Sequence, residues 1–172
     1  IVNRLTGTYS KLASCTQYNE TMLAFITRLL EAEGAFYFVE DGDAGIDIVL
    51  GDSVDAHKPS APAAMPYLPG AGTTAGTRVS RLVETERLRP QKVTLRDLDW
   101  QKPNLDLEAS IEKTSPGARE LYDHPGGHVT PADGKKRAGA RLDALVAATT
   151  GIRAQAFAPG ISAGQTFELE NA

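Results

Sequence analysis

Acid and base catalysis needs titratable groups held together, and two stretches of this 172-residue chain concentrate them: "EDGDAGID" at residues 40–47 and "YDHPGGH" at 122–128. In the first, Glu40, Asp41, Asp43 and Asp47 fall near alternate positions, the arrangement in which carboxylate oxygens line a calcium loop. Counted from Asp41, however, the sixth position is Ile46 where glycine is needed, and the twelfth is Asp52 where glutamate is needed. The stretch reads instead as a solvated hairpin tip.

In the second, His124 and His128 are four residues apart, which would put two imidazoles on one helical face, but Pro125, Gly126 and Gly127 oppose a helix there. A zinc site would want a third ligand, and His57 is the only other histidine. Asp123 could orient the His124 ring for hydrolysis, yet sequence neighbours point apart in a strand, and no Gly-x-Ser-x-Gly elbow supplies a nucleophile. A small hydrolase using Asp123 and His124 is the enzymatic alternative, and it is the weaker one. No catalytic, cofactor-binding or metal residue is assigned, no cofactor is expected, and the chain reads as a non-enzyme.

Cys15 would need a positive surrounding and a partner histidine to act as a nucleophile, and only Lys11 is near in sequence. It is expected to be a small buried hydrophobe. As the single cysteine it forms no intramolecular disulfide, which fits a reducing compartment. The run Lys135, Lys136, Arg137, with Arg141 a turn later, reads as a solvated or partner-facing helix surface. Eighteen basic against twenty-two acidic residues give a net charge of -4, so there is no global basic field for nucleic acid. No phosphate-binding glycine motif occurs.

The elements that must position these groups follow from periodicity. Apolar residues at 41% and charged residues at 23% place the chain among folded globular proteins. An N-cap at Asn19, the apolar stripe Met22, Phe25, Ile26, Leu29 and Leu30, and a stop at Gly34 predict a helix over 20–33. "AFYFVE" and "IDIVLGD" predict a hairpin around the five-residue loop "DGDAG", with the helix stripe packed on it. Four prolines between residues 58 and 76 predict a linker or surface loop. Strands are predicted over 78–83, 92–100 and 105–111, the last with Leu105, Leu107, Ala109 and Ile111 on one face. Thr130 as N-cap and Pro131 after it open a second helix near 131–148, with Ala138, Leu142, Leu145 and Val146 inward. Two short strands are expected around the Pro159-Gly160 turn.

These elements suggest a helix-plus-hairpin unit over 1–57, a Pro/Gly-rich connection over 58–76 and an antiparallel unit over 77–172. The first residues lack the apolar core of a signal peptide, and no run of about 18 apolar residues is present, so no membrane insertion is expected. Because the sequence opens on Ile1, it is expected to be a piece of a longer protein.

Four ordered motifs resemble a known family. "CTQYNETMLAFITRLLEAEGAFYFVEDGD" followed by "IVLGDS", then "VTLRDLDWQKPNLDL", "ELYDHPGGH" and "FAPGISAGQTFEL", are similar to the N-terminal region of bacterial type VI secretion spike proteins, the VgrG family. That region is in turn similar to phage tail hubs and to phage late control D proteins. The resemblance covers about residues 5–169. It implies an α+β fold, predominantly antiparallel β, in barrel-like hub domains with two helices. It also implies a structural role in capping the secretion tube for contractile injection of effectors, with the hub of a contractile phage tail as the alternative. The implied partners are two further copies in a trimer of the full-length protein, a hexameric tube protein, baseplate proteins, and effectors or adaptors. The implied location is assembly in the bacterial cytoplasm, followed by secretion without a signal peptide.

Overall fold

The computed structural model describes residues 1–12, 14–43, 45–70, 76–113 and 119–171. In chain order the elements are β1 (Val2–Arg4), α1 (Met22–Glu33), β2 (Phe36–Gly42), β3 (Gly45–Gly51), a short 3-10 turn (Val54–Ala56), β4 (Lys58–Pro66), β5 (Arg78–Glu86), β6 (Lys92–Asp97), β7 (Leu107–Glu112), β8 (Glu120–Asp123), α2 (Pro131–Ala147), β9 (Thr150–Phe157) and β10 (Gln165–Glu170). Their contacts form two units. One contains Ile1–Gly7, Ala35–Thr85 and Gly151–Ala172, and the other Thr8–Gly34 and Glu86–Thr150. This division is not the consecutive one suggested by the sequence: α1 belongs with the second unit and the hairpin that follows it with the first.

In the first unit, bulky aromatic and β-branched residues form the β2/β3 hairpin, with Phe38 opposite Val49 and Val39 opposite Ile48. Alternation sends Phe38 and Val49 inward, while Tyr37, Val39 and Ile48 remain exposed. The ladder runs to Gly42 opposite Gly45, so the predicted five-residue loop is shorter than expected, and Ala44 of that loop lies outside the described residues. Gly45 has φ +133°, a conformation that excludes most side chains and closes the tighter turn. β1 adds to β3 in parallel.

The proline-rich segment is a correction. Residues 58–66 are not a linker but strand β4, paired in parallel with β10 from Lys58 opposite Gln165 to Pro66 opposite Glu170. The prolines are tolerated because among the described residues this sheet has two strands and its register shifts between Thr166 and Glu168, so the missing N–H groups interrupt no continuous ladder. The later part of that predicted connection, residues 71–75, lies outside the described residues. β5 pairs with β9. The Arg87 N–H donates to Thr149 O and the Ser80 hydroxyl to Gln155 O, which makes this ribbon antiparallel. The two strands predicted around Pro159-Gly160 exist, but each pairs elsewhere.

In the second unit, α2 lies on the sheet β7-β6-β8. Val93 and Leu95 of β6 meet Ala138 and Leu142 of α2 in a core flanked by Ile111, Leu121, Leu145 and Val146. Thr130 caps α2, its hydroxyl accepting from the Asp133 N–H at 3.2 Å, with Pro131 next as predicted. α1 is capped by Thr21, not Asn19: the Thr21 hydroxyl accepts from the Ala24 N–H at 3.2 Å, while Asn19 sits at φ +50°. Gly34 closes α1 in the left-handed conformation at φ +73°. No residue of α1 is fully buried, and Met22 and Ile26 expose 61% and 43%. The predicted core stripe is therefore half right: Phe25, Leu29 and Leu30 are half-buried, and the other two face outward.

The α+β class holds, with ten strands and two helices among the described residues. The longer ladders, β2/β3 and β6/β7, are antiparallel as expected, but β1/β3, β4/β10 and β6/β8 are parallel. These pairs join segments separated by long excursions, which periodicity within one strand does not reveal.

Candidate functional site

Each group singled out in the sequence has a defined place. Glu40 of β2 receives the guanidinium of Arg4 and, at 3.2 Å, the ammonium of Lys58. Burial alone would raise its carboxyl, but the hydrogen bonds from Lys58 and Arg4 and their charges outweigh that and hold it below the ordinary glutamate value. Arg4 also donates to Ala56 O at 2.7 Å. Glu40 is thus the centre of a cationic clamp joining β1, β2 and β4. Asp52 accepts from the backbone N–H groups of Thr6 and Gly7 and from the Thr6 hydroxyl. Among the described residues no three His, Cys, Asp or Glu side chains are arranged to hold a metal ion.

The three histidines are tied down separately, each through one ring N–H to a backbone carbonyl. His57 lies against Phe36 and Phe38 with ring centroids 5.0 and 5.3 Å away, and its Nδ1–H donates to Gly164 O at 2.9 Å. Gly164, at φ +78°, must be glycine, since a Cβ there would overlap the Phe38 ring. His124 donates from Nδ1 to Arg96 O at 2.9 Å. His128 is buried and donates from Nε2 to Leu107 O at 2.8 Å, while its Nδ1 has no hydrogen-bond partner among the described residues.

His128 occupies a slot made by two glycines. A Cβ on Gly126 would stand 2.7 Å from Nδ1, and one on Gly134 of α2 2.6 Å from Nε2. Close helix-to-loop approach, not a ligand set, explains why "PGGH" precedes α2. Asp97 holds the loop from the other side, accepting from the N–H groups of Gly127 at 2.7 Å and His128 at 3.3 Å. Burial would raise the Asp97 carboxyl, but these bonds and that from Leu98 outweigh it and hold the pKa below the ordinary aspartate value.

Asp123 and His124 share no hydrogen bond in this arrangement. The Asp123 carboxylate accepts from Arg141 at 2.6 Å, while the His124 ring turns to Arg96 O. The His124 ring borders a cleft of about 640 Å³ together with Tyr122, Asp106 and Glu108. Asp106 accepts there from the Glu108 N–H at 3.0 Å, and Glu108 lies 3.9 Å from Arg96, so both carboxylates serve local turns and strand pairing. Cys15 is exposed, against the expectation of a buried hydrophobe.

The basic run on α2 is largely consumed within its own unit. Lys136 reaches Glu33 of α1 at 3.1 Å and Thr8 O at 2.7 Å, and its ammonium sits 4.1 Å from the centre of the Tyr9 ring. Arg137 bonds the second oxygen of Glu33 at 2.9 Å. Lys135, Lys136 and Arg141 keep the expected exposed position at the helix surface, and Arg137 is partly buried. Glu33 went unnoticed as a functional residue in the sequence. Its signal is the surplus of cations on α2, which contains Asp133 and Asp143 against four basic side chains and so needs acid from elsewhere.

Comparison with known proteins gives one family and several relatives. A family model described as phage tail baseplate hub (GPD) matches residues 1–172. The chain is 34% identical over 170 residues to the type VI secretion system spike protein VgrG1a of Pseudomonas aeruginosa, covering 96% of this chain and 26% of that protein. It is 30% identical over 172 residues to the spike protein VgrG1c of the same organism, covering 97% and 24%, and 31% identical to VgrG1b, covering 96% and 23%. The chain thus spans about a quarter of the length of these curated relatives.

Proposed function

Because the chain belongs to the phage tail baseplate hub family, we propose that it is a structural segment of a type VI secretion spike and baseplate hub that caps the secretion tube. The observation that carries this reading is the similarity of the whole chain to spike proteins, at 30–34% identity over 96–97% of its residues. The geometry supports it: the groups that could have done chemistry are spent on holding backbone and helices in place. In this reading the small sheets are parts of barrel-like hub domains. The full-length protein forms a trimer and docks on a hexameric tube protein and on baseplate proteins, with effectors or adaptors as further partners. It assembles in the bacterial cytoplasm and leaves with the injected spike, without a signal peptide.

Light scattering and cross-linking of the protein together with the tube protein of its own source test this. A trimer that cross-links to tube protein is expected. A strictly monomeric protein that binds neither tube nor baseplate protein would sink the proposal. The family description itself favours a second reading, the hub of a contractile phage tail or phage-derived particle. Sheath and ATPase genes beside this one would favour secretion, and capsid and terminase genes would favour the phage.

A further inference from the structure

The β5/β9 ribbon is a two-stranded sheet with little covering it. In β5 only Arg78 and Val79 are buried, and every residue of β9 is exposed. A two-stranded ribbon is marginal on its own in water, and its outer edges present unpaired N–H and C=O groups. Tyr67 bridges Val79 at the start of β5; from Ser80 onward no further bridge to that edge occurs among the described residues. Apolar side chains are exposed along it too, Val83 at 40% and Ile152 at 66%.

The charges on this ribbon are sorted by face. Alternation puts Arg81 and Val83 on one side of β5 and Leu82, Glu84 and Glu86 on the other. A Cβ on Gly151 would stand 3.9 Å from Thr85 O, which sets residue 85 opposite 151. Counted back along an antiparallel ladder, Arg153 then stands beside Val83 and Ile152 beside Glu84. One face therefore carries Arg81 and Arg153, and the other Glu84 and Glu86. None of these four belongs to an ion pair among the described residues.

We propose that the β5/β9 ribbon is a contact surface between copies of this chain, which meet head to tail with the arginine face of one against the glutamate face of the next. The same ribbon offers on one side what its other side lacks, so a second copy is the partner whose charge complements it. A two-fold contact would set each face against itself and bring like charges together. A head-to-tail contact brings unlike ones together and closes into a ring when its rotation allows. Val83 and Ile152, one on each face, add apolar area to the contact. The inference deepens the hub reading and rests on it, since it names the surface through which hub copies join.

Two variants of the chain test it, R81E/R153E with acid on both faces and E84R/E86R with base on both. Analytical ultracentrifugation should show salt-sensitive self-association of the parent chain, weakened about tenfold or more in each variant. An equimolar mixture of the two variants should associate again as mixed pairs, because each supplies the face the other lacks, while a three-membered ring of the two would keep one like-charged contact. Circular dichroism checks that both variants remain folded. Variants that associate as the parent does, a mixture of folded variants that fails to regain association, or a parent chain monomeric at every concentration would each overturn the proposal. Tube-protein binding measured in parallel separates the two readings: if it persists while any of these results is found, only the ribbon contact falls.

Discussion

The carboxylate of Glu33, the last residue of α1, is held by two cations of α2: Lys136 at 3.1 Å on one oxygen and Arg137 at 2.9 Å on the other. Glu33 and Arg137 are each about one-fifth exposed, so the pair is screened less than a surface ion pair. Glu33→Ala should cost about 1 to 2 kcal/mol, from lost charge-assisted bonds and two cations left without their acid. Urea denaturation followed by circular dichroism measures it. An unchanged midpoint would mean that the clamp contributes nothing to the α1/α2 joint.

Two glycines of one helix should respond in opposite directions to the same substitution. At Gly134 a Cβ would stand 2.6 Å from the buried His128 ring and 3.0 Å from Ala109 Cβ, so Gly134→Ala should cost about 1 to 3 kcal/mol by overpacking. At Gly139 the nearest atom would be Ile111 Cδ1 at 3.6 Å, an ordinary contact, so Gly139→Ala should stabilise α2 by about 0.5 to 1 kcal/mol. Thermal unfolding of the two variants checks the sign of each. Equal effects at both positions would remove the slot as the reason for Gly134.

Side-chain truncation should separate the inward and outward apolar residues of the two helices. Leu142 is fully buried in the α2 core, and Leu142→Ala should cost about 2 to 5 kcal/mol. Ile26 of α1 is 43% exposed, and Ile26→Ala should cost less than about 1 kcal/mol. A large loss at Ile26 would mean that the outward side of α1 is covered in solution.

The contrast between these helices shows what could be read from the sequence. α2 was legible nearly to the residue because Thr130, Pro131 and the stripe Ala138, Leu142, Leu145 and Val146 all act within the helix and on one sheet. α1 was legible as a helix ending at Gly34, but its partner was not. The contacts of Glu33 lie more than a hundred residues away on α2, while the neighbouring hairpin is part of the other unit. The strand β4 was hidden for a similar reason, since its ladder is supplied by β10 from the far end of the chain and its prolines argue locally against a strand. Of the titratable groups, Asp123 ends β8 and His124 lies just beyond it, so their separate partners, Arg141 and Arg96 O, do not follow from strand alternation. The slot around His128 was not legible either, because it depends on the approach of Gly134, which looks from the sequence only like a weak point in α2.

The loop before α2 should carry an acid-sensitive part of the stability. The Asp97 carboxyl lies below its ordinary value in the folded chain because, against the opposing effect of burial, the N–H groups of Leu98, Gly127 and His128 bond its charged form. The folded state therefore binds fewer protons than the unfolded state near the ordinary aspartate value. The stabilisation is present in full above that value and is lost as pH falls through the lower, folded one. Glu120, held below its ordinary value mainly by the Thr94 hydroxyl and then by Lys92, works in the same direction. Asp97→Asn keeps the shape but removes the charge, so the variant should lose less stability than the parent when pH is lowered from neutrality to the acid side of this window. Urea midpoints of the two proteins across that range measure the difference. Parallel pH profiles would show that the Asp97 charge is not what fastens the Gly127 and His128 backbone beneath α2.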